Sequence, residues 1–213
     1  MTKEKHLHET LGEAWISLLS QVVHDGEQID DEIVEQRDVY VGFLSATDSD
    51  RLLRQHANQS HIAEMRKVFF TRERNQFGHS YAEYMRGPRG RQDLSDVVDL
   101  LKEKPYSKRA LLSLVGDGTK VPCISAVHFL VRNNVAEATY FSRGQDVFNK
   151  FYADAICVGH MLALVSEGLD VGCGRIAGFI SSAHVYISDL PAVSAVLDHE
   201  RKDAIGCLKG SPA

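Results

Sequence analysis

The spacing of apolar residues follows a helical period in some segments of this chain and a strand period in others. Apolar side chains at helical spacing predict helices over residues 6–24, 50–70 and 94–102. Residues 148–168 form the most apolar segment, and a helix that is apolar around most of its circumference is typical of a buried central helix. A last helix is expected over residues 190–200, with Pro191 in its first turn.

Between these helices, shorter segments rich in β-branched and aromatic residues predict strands. Asn133 and Asn134 join two of them in a tight hairpin. We therefore expect one α+β domain over residues 1–213, with a mixed or antiparallel sheet packed on the long buried helix. The predicted strands cover residues 38–45, 110–115, 124–132 and 135–142, and a glycine-rich segment over 172–187 becomes strand-like.

Composition narrows the class of protein. The chain has 213 residues, of which 44% are hydrophobic and 25% charged, as in ordinary soluble globular proteins. Its formal net charge of -5 argues against general binding to nucleic acid. No apolar run reaches the roughly 18 residues that a membrane span needs. Because the charged start lacks the apolar core of a secretory signal, we expect a cytoplasmic protein without a membrane partner.

One of the four cysteines stands in a chemically suggestive place. None of the four belongs to a Cys-x-x-Cys pair, which predicts free thiols and no metal site. Cys123 follows Pro122 and precedes the strand over residues 124–132. If that strand pairs with residues 135–142, Arg143 comes next to Cys123. A nearby cation lowers the pKa of a thiol, so Cys123 is a candidate nucleophile.

Two other polar groups are candidates for substrate binding. Lys108 and Arg109 open a strand, where a guanidinium can bind phosphate in a forked geometry. Neighbouring side chains on a strand point to opposite faces, so both reach one site only if the backbone is irregular. His184 and Tyr186 are two residues apart and share a face, which suits sugar hydroxyls. The alternatives are a solvated strand end for the first pair and a half-buried edge pair for the second.

Five short segments, taken together and in order, resemble the thymidylate synthase superfamily, which includes the cytidylate hydroxymethylases. The resemblance is clear over residues 78–190 and implies a thymidylate-synthase-like fold. The segments are Gly78-His-Ser-Tyr81-Ala-Glu-Tyr84-Met-Arg86, Ser107-Lys108-Arg109, Pro122-Cys123, Ser142-Arg143-Gly144-Gln145-Asp146 and Ser182-Ala183-His184-Val185-Tyr186.

The resemblance implies a covalent reaction on a pyrimidine nucleoside monophosphate. Cys123 would add to C6 of the base and make C5 nucleophilic toward a one-carbon unit from 5,10-methylenetetrahydrofolate. Tyr81 would line the pocket, and Asp146 would lie where base and folate meet. Glu64 is the best candidate for the general acid or base, with Glu83 behind it.

The same resemblance implies how the nucleotide is held. Arg143 would bind its phosphate, beside Gly144, which replaces a phosphate-binding serine of the family. Lys108 and Arg109 would reach the phosphate bound by the other subunit, which implies a homodimer. His184 and Tyr186 would hold the sugar 3′-hydroxyl.

Asp154 stands where uracil-specific members of the family have asparagine. A carboxylate accepts a hydrogen bond from the cytosine N4 amino group. Facing uracil O4, it would set lone pair against lone pair. The cytidylate hydroxymethylases carry the same change, which favours cytosine. The alternative is that Asp154 only caps or flanks the helix.

Three functions remain open on the sequence. The favoured one is C5 one-carbon transfer, with hydroxymethylation preferred, to a cytidine monophosphate-type nucleotide. The second is C5 methylation or an altered one-carbon reaction on a uridine nucleotide. The third is nucleotide binding without folate chemistry, since the segment that closes over the folate in the family is missing here.

Overall fold

A single mixed sheet of eight strands organises the protein. The computed structural model describes residues 7–74, 80–86, 93–114 and 121–209, and side chains as far as residue 203. The strands run in the order β1-β3-β8-β6-β5-β4, with β2 on β3 and β7 on β8. Their bounds are Leu7–Thr10 (β1), Glu27–Ile29 (β2), Ile33–Ser45 (β3), Leu111–Ser113 (β4), Ile124–Arg132 (β5), Val135–Ser142 (β6), Gln145–Asp146 (β7) and Gly172–Tyr186 (β8).

The sheet combines both pairing directions. Strand β8 pairs antiparallel with β3 and parallel with β6 and β7. Burial alternates along β3: Val39, Val41 and Phe43 are buried, whereas Tyr40 and Leu44 are exposed. One face of the sheet therefore packs against helices, and the other remains partly open. The helices are Leu11–Asp25 (α1), Arg51–His56 (α2), Gln59–Phe70 (α3), Tyr81–Arg86 (α4), Leu94–Glu103 (α5), Phe151–Leu169 (α6) and Leu190–Lys209 (α7).

Helix α6 is the centre of the molecule, as its apolar sequence predicts. It packs against the sheet and against α1, α3 and α5. Residues from Phe151 to Val158 are buried in an unbroken run, so this half of the helix has no solvent face. Asp170 ends α6 in the left-handed conformation. None of the described helices is both long and apolar enough to cross a membrane.

The structure corrects two of the predicted helices. The segment over residues 6–24 begins as strand β1, and α1 starts only after Thr10, whose side chain forms a capping box with Glu13. The segment over 50–70 divides into α2 and α3, because Asn58 caps a new helix with a hydrogen bond to the His61 amide. The predicted hairpin is present, with positive φ at Asn133 and Asn134. Parts of two predicted features, residues 78–79 and 115, lie outside the described ranges.

The β5–β6 hairpin brings distant ends of the chain together. Its closing pairs place Ile124 opposite Ser142, and the Arg143 amide donates to the Cys123 carbonyl at 3.0 Å. Short strand β7 then sets Asp146 beside His184 of β8. The start of β5, the end of β6, the end of β8 and the first turn of α6 thus converge.

Candidate functional site

Cys123 and Arg143 are neighbours at the open end of the hairpin. Cys123 is partly buried just before β5, and the Arg143 side chain is exposed. The guanidinium donates to the Val121 carbonyl from Nε at 3.1 Å and from Nη2 at 2.8 Å, and to the Pro122 carbonyl at 3.2 Å. Arg143 therefore holds the segment that leads into the thiol.

The pKa of the Cys123 thiol is raised, whereas a nearby cation alone would lower it. Burial is the largest influence and raises the pKa of Cys123, and the Asp154 carboxylate raises it further. Arg143 and Lys150 lower the pKa, as expected for cations, but do not outweigh the other two. In the ligand-free protein the thiol is accordingly held in its protonated form more strongly than a free cysteine.

Asp154 is a buried carboxylate in the first turn of α6. Its Oδ2 accepts a hydrogen bond from Gln145 Nε2 at 2.8 Å, and its Oδ1 has no partner among the described atoms. Burial raises its pKa to about 6, although the Gln145 bond and Lys150 act in the opposite direction. The interpretation of Asp154 as a helix cap is wrong, because Lys150 is the N-cap residue and no side-chain cap bond is present there.

Gln145 fixes the orientation of this carboxylate. It is buried, and the Ser142 hydroxyl donates to its Oε1 at 3.1 Å. With its oxygen so engaged, the amide turns its NH₂ group toward Asp154. Sequence reasoning missed both Gln145 and Ser142 as functional residues. The only signal was a glutamine two residues after Arg143.

Lys150 is a third residue that sequence reasoning missed. Its backbone amide bonds the Asp146 carbonyl at 3.0 Å, and its carbonyl accepts from the Asp154 amide at 3.0 Å. Its ammonium lowers the pKa of Cys123, of Asp154 and of His61, which places it among all three. A lone cation at the start of the most apolar helix was the available signal.

Asp146, His184 and Tyr186 form the other wall. Asp146 Oδ1 accepts from the Asn149 amide at 2.9 Å. The His184 and Tyr186 rings stand edge to face with centroids 5.6 Å apart, and His184 Nδ1 is buried without a partner among the described atoms. A Cβ on Gly144 would lie 4.0 Å from His184 Cε1, which is ordinary contact. These residues share one edge of the sheet, as their motifs predict.

Tyr81 lies behind the Cys123 segment, at the start of β5. Its ring stacks on Phe69 at 4.0 Å, and its hydroxyl accepts from the Ile124 amide at 3.3 Å. Burial, with smaller contributions from Asp154 and Cys123, raises its pKa well above the ordinary value. Tyr81 is therefore a neutral support for the start of β5.

The predicted catalytic glutamates are not brought to the thiol by a described contact. Glu64 lies exposed on α3, with its carboxylate 3.6 Å from His61 Nδ1. Glu83 forms an ion pair with Arg74 through Nε at 3.0 Å and Nη2 at 2.9 Å. The carboxylates that raise the pKa of Cys123 are instead Asp154 and Asp146.

Lys108 and Arg109 are also distant from Cys123 within one chain. Both are exposed, immediately before β4. The Phe129 amide bonds the Ala110 carbonyl, so this segment pairs with the far end of β5. At about 3.3 Å per residue, that end is roughly 20 Å from Cys123.

Comparison with known proteins identifies the family of this chain. The thymidylate synthase family model matches residues 38–209. This chain belongs to the thymidylate synthase family. Its mixed α/β domain is consistent with that fold, and the family's chemistry is C5 one-carbon transfer to a pyrimidine nucleotide.

Similar proteins occur in archaea and bacteria. A Methanosarcina mazei protein, named provisionally as a thymidylate synthase, is 26% identical over 200 residues, covering 89% of this chain and 92% of its own length. A Methanothermobacter marburgensis protein of the same provisional name is 21% identical, covering 84% and 91%. The Mycoplasma mobile thymidylate synthase is 23% identical over 138 residues, which is 62% of this chain but 48% of that enzyme.

Replacing the buried carboxylate with its neutral isostere should stabilise this family member. The folded pKa of Asp154 is about 6, above the ordinary 3.8, so its contribution to stability is full below pH 3.8 and lost as pH rises through about 6. Asp154→Asn should raise the free energy of unfolding at pH 8 by up to ~3 kcal/mol and change it little at pH 4. Urea denaturation at both pH values measures this.

The matched control is Asp99→Asn, which removes an exposed carboxylate from α5. Its stability should change by less than about 0.5 kcal/mol. A loss of stability in Asp154→Asn at pH 8 would contradict the account of the buried charge.

Proposed function

We propose that this protein transfers a one-carbon unit, preferably as hydroxymethyl, to C5 of a cytidine monophosphate-type nucleotide. The observation that carries the proposal is the buried Asp154 carboxylate with one oxygen unpartnered. An unpaired buried acceptor costs free energy. A ligand that donates to it would recover that cost.

The two oxygens of Asp154 have different tasks in this proposal. Oδ2 is engaged by Gln145, and Oδ1 faces the base. When Asp154 is ionised, Oδ1 accepts from the cytosine N4 amino group and repels uracil O4. When it is protonated, Oδ1 can donate to uracil O4. With a pKa of about 6, the ionised form dominates at neutral pH and favours cytosine.

The remaining residues bind the nucleotide and prepare the thiol. The exposed Arg143 guanidinium exchanges its bonds to the Val121 and Pro122 carbonyls for the phosphate, which it binds in a forked geometry. His184 and Tyr186 hold the sugar. The Cys123 thiol loses its proton, its sulfur adds to C6, and the electron pair of the C5–C6 bond moves toward C5. Lys150 stabilises the thiolate.

A folate would supply the one-carbon unit. Asp146 is the residue that fits it, because a carboxylate accepts several hydrogen bonds and Asn149 donates to it here. After transfer, C5 would lose its proton as the bond between the new carbon and the folate nitrogen breaks, which leaves an exocyclic methylene group. Water would then add to that methylene to give the hydroxymethyl group, as the Cys123 sulfur leaves C6 and the C5–C6 double bond is restored. Asp146, whose carboxylate acts on the Cys123 thiol, is the residue proposed to accept the C5 proton.

A panel of pyrimidine nucleotides tests the proposal. CMP, dCMP, UMP and dUMP are incubated with and without methylenetetrahydrofolate, and products are read by mass spectrometry. A hydroxymethyl mass shift on a cytidine nucleotide is expected only with folate. Transfer to uridine nucleotides alone would replace the cytosine proposal. Tight binding without any product would favour a nucleotide-binding protein, in which Glu64 and Glu83 keep only their contacts with His61 and Arg74.

Base preference should follow the charge on Asp154. The cytidine-to-uridine ratio of binding constants is expected to rise from pH 5 to pH 8, as the carboxylate ionises through about pH 6. Asp154→Asn should invert the preference by at least about tenfold and abolish its pH dependence. Calorimetric titration measures both, and an unchanged ratio in the variant would refute base recognition by Asp154.

We further propose that the open face of the sheet joins two copies of this chain. Tyr40, Phe179 and Phe141 are partners across β3, β8 and β6, and all three are exposed. The rings of Phe141 and Phe179 stack at 5.9 Å. A contiguous exposed aromatic row favours association. Such a dimer would also give Lys108 and Arg109 a phosphate to bind in the partner's site.

The dimer is tested by placing a charge in that row. Phe179→Lys should give a monomer by light scattering and weaken nucleotide binding. Leu164→Lys is the control, since Leu164 on α6 is exposed to the same extent, 39%, away from the sheet. A Phe179→Lys protein that stays dimeric would overturn this arrangement.

A further inference from the structure

We propose that His56, His199 and Glu200 bind one divalent cation of the zinc type, which joins helix α2 to helix α7. His56 Nε2 lies 2.7 Å from Glu200 Oε1, and His199 Nδ1 lies 3.5 Å from the same oxygen. One donor atom from each residue falls within 4.8 Å of the others. None of the three belongs to the nucleotide site.

The donor set suits zinc. Two imidazoles and one carboxylate are frequent zinc ligands, whereas calcium and magnesium prefer oxygen donors alone. Asp203 stands one helical turn after His199, with its Oδ2 3.7 Å from His199 Nδ1. It therefore contacts one of the three ligands, and water would complete the tetrahedral set around the ion.

Arg51 prepares the carboxylate for this role. Its Nη2 bonds Glu200 Oε2 at 3.0 Å, so Oε1 is the oxygen left for a metal. A partner that orients a ligand in this way is a common feature of metal sites.

Burial differs among the ligands in a useful way. The side chains of His56 and Glu200 are 10% and 13% exposed, whereas that of His199 is 47% exposed. Two ligands are thus fixed and the third is free to close over the ion. Donor atoms around tetrahedral zinc lie about 3.4 Å apart, so the 2.7 Å contact opens slightly as zinc replaces the shared proton.

A groove borders one of the three ligands. A groove of about 580 Å³ runs between α1 and α7, and Glu200 forms part of its wall together with His24 and Arg201. Zinc bound by the three residues would link α7, the last described element, to the short helix α2. Because such a site forms only in the folded chain, binding adds to the stability of the fold.

Zinc titration of the full-length, untagged protein tests the proposal. The protein is first stripped with a chelator, and its accessible thiols are alkylated so that cysteines do not bind the metal. We expect one zinc per chain by calorimetry, a higher melting temperature, and a tetrahedral absorption spectrum with cobalt(II).

Two variants and one control identify the ligands. His199→Ala removes the exposed ligand without disturbing the core and should weaken zinc binding by at least about tenfold. Glu200→Gln should do the same, and His128→Ala, which removes an imidazole on β5, should bind zinc like the original protein. Absence of zinc binding in the original protein, or equal binding in His199→Ala, would show that the cluster is a hydrogen-bonded ion pair only.

Discussion

The hydrogen bond between Gln145 and the buried Asp154 carboxylate sets the geometry of the whole site. It fixes one carboxylate oxygen and leaves the other without a protein partner. The same carboxylate raises the pKa of the Cys123 thiol and of Tyr81, so its charge acts on both of these groups. A ligand that donates to Asp154 would thus act on recognition and reactivity together.

The fold limits the free-energy cost of burying the Asp154 carboxylate. An ionised carboxylate in a wholly apolar helix would be neutralised by a large rise in pKa. Lys150 stands one turn before Asp154, and its positive charge moderates that rise. The buried helix α6 therefore begins with a cation and an anion that its apolar remainder holds in place. The buried charge lowers stability there, and it leaves one carboxylate oxygen without a protein partner among the described atoms.

Local sequence signals predicted the parts of the site that depend on local structure. Asn133 and Asn134 marked the hairpin, and the hairpin sets Arg143 beside Cys123. The two-residue spacing of His184 and Tyr186 placed both rings on one face. The apolar run in α6 identified the central helix. In each case, the decisive interaction lies within a few residues or across one tight turn.

Signals that depend on tertiary packing were beyond the sequence. The break at Asn58 divides one predicted helix into two and changes where α3 carries Glu64. Lys150 and Gln145 can be recognised as site residues only once the buried Asp154 carboxylate beside them is known. His56 and Glu200 are 144 residues apart, so no spacing motif could join them. We expected Arg143 to lower the pKa of Cys123. The pKa is raised instead, because burial, which strand-pairing patterns do not predict, has a larger effect than Arg143.

Exchange of the C5 hydrogen tests the central claim most directly, because it requires addition of Cys123 to C6 but no folate. Tritium release from C5-labelled CMP and dCMP is measured without folate, in the original protein and in Cys123→Ser. The account predicts release from a cytidine nucleotide that disappears in Cys123→Ser while nucleotide binding persists. Equal release in the variant, or no release from any bound pyrimidine nucleotide, would contradict it.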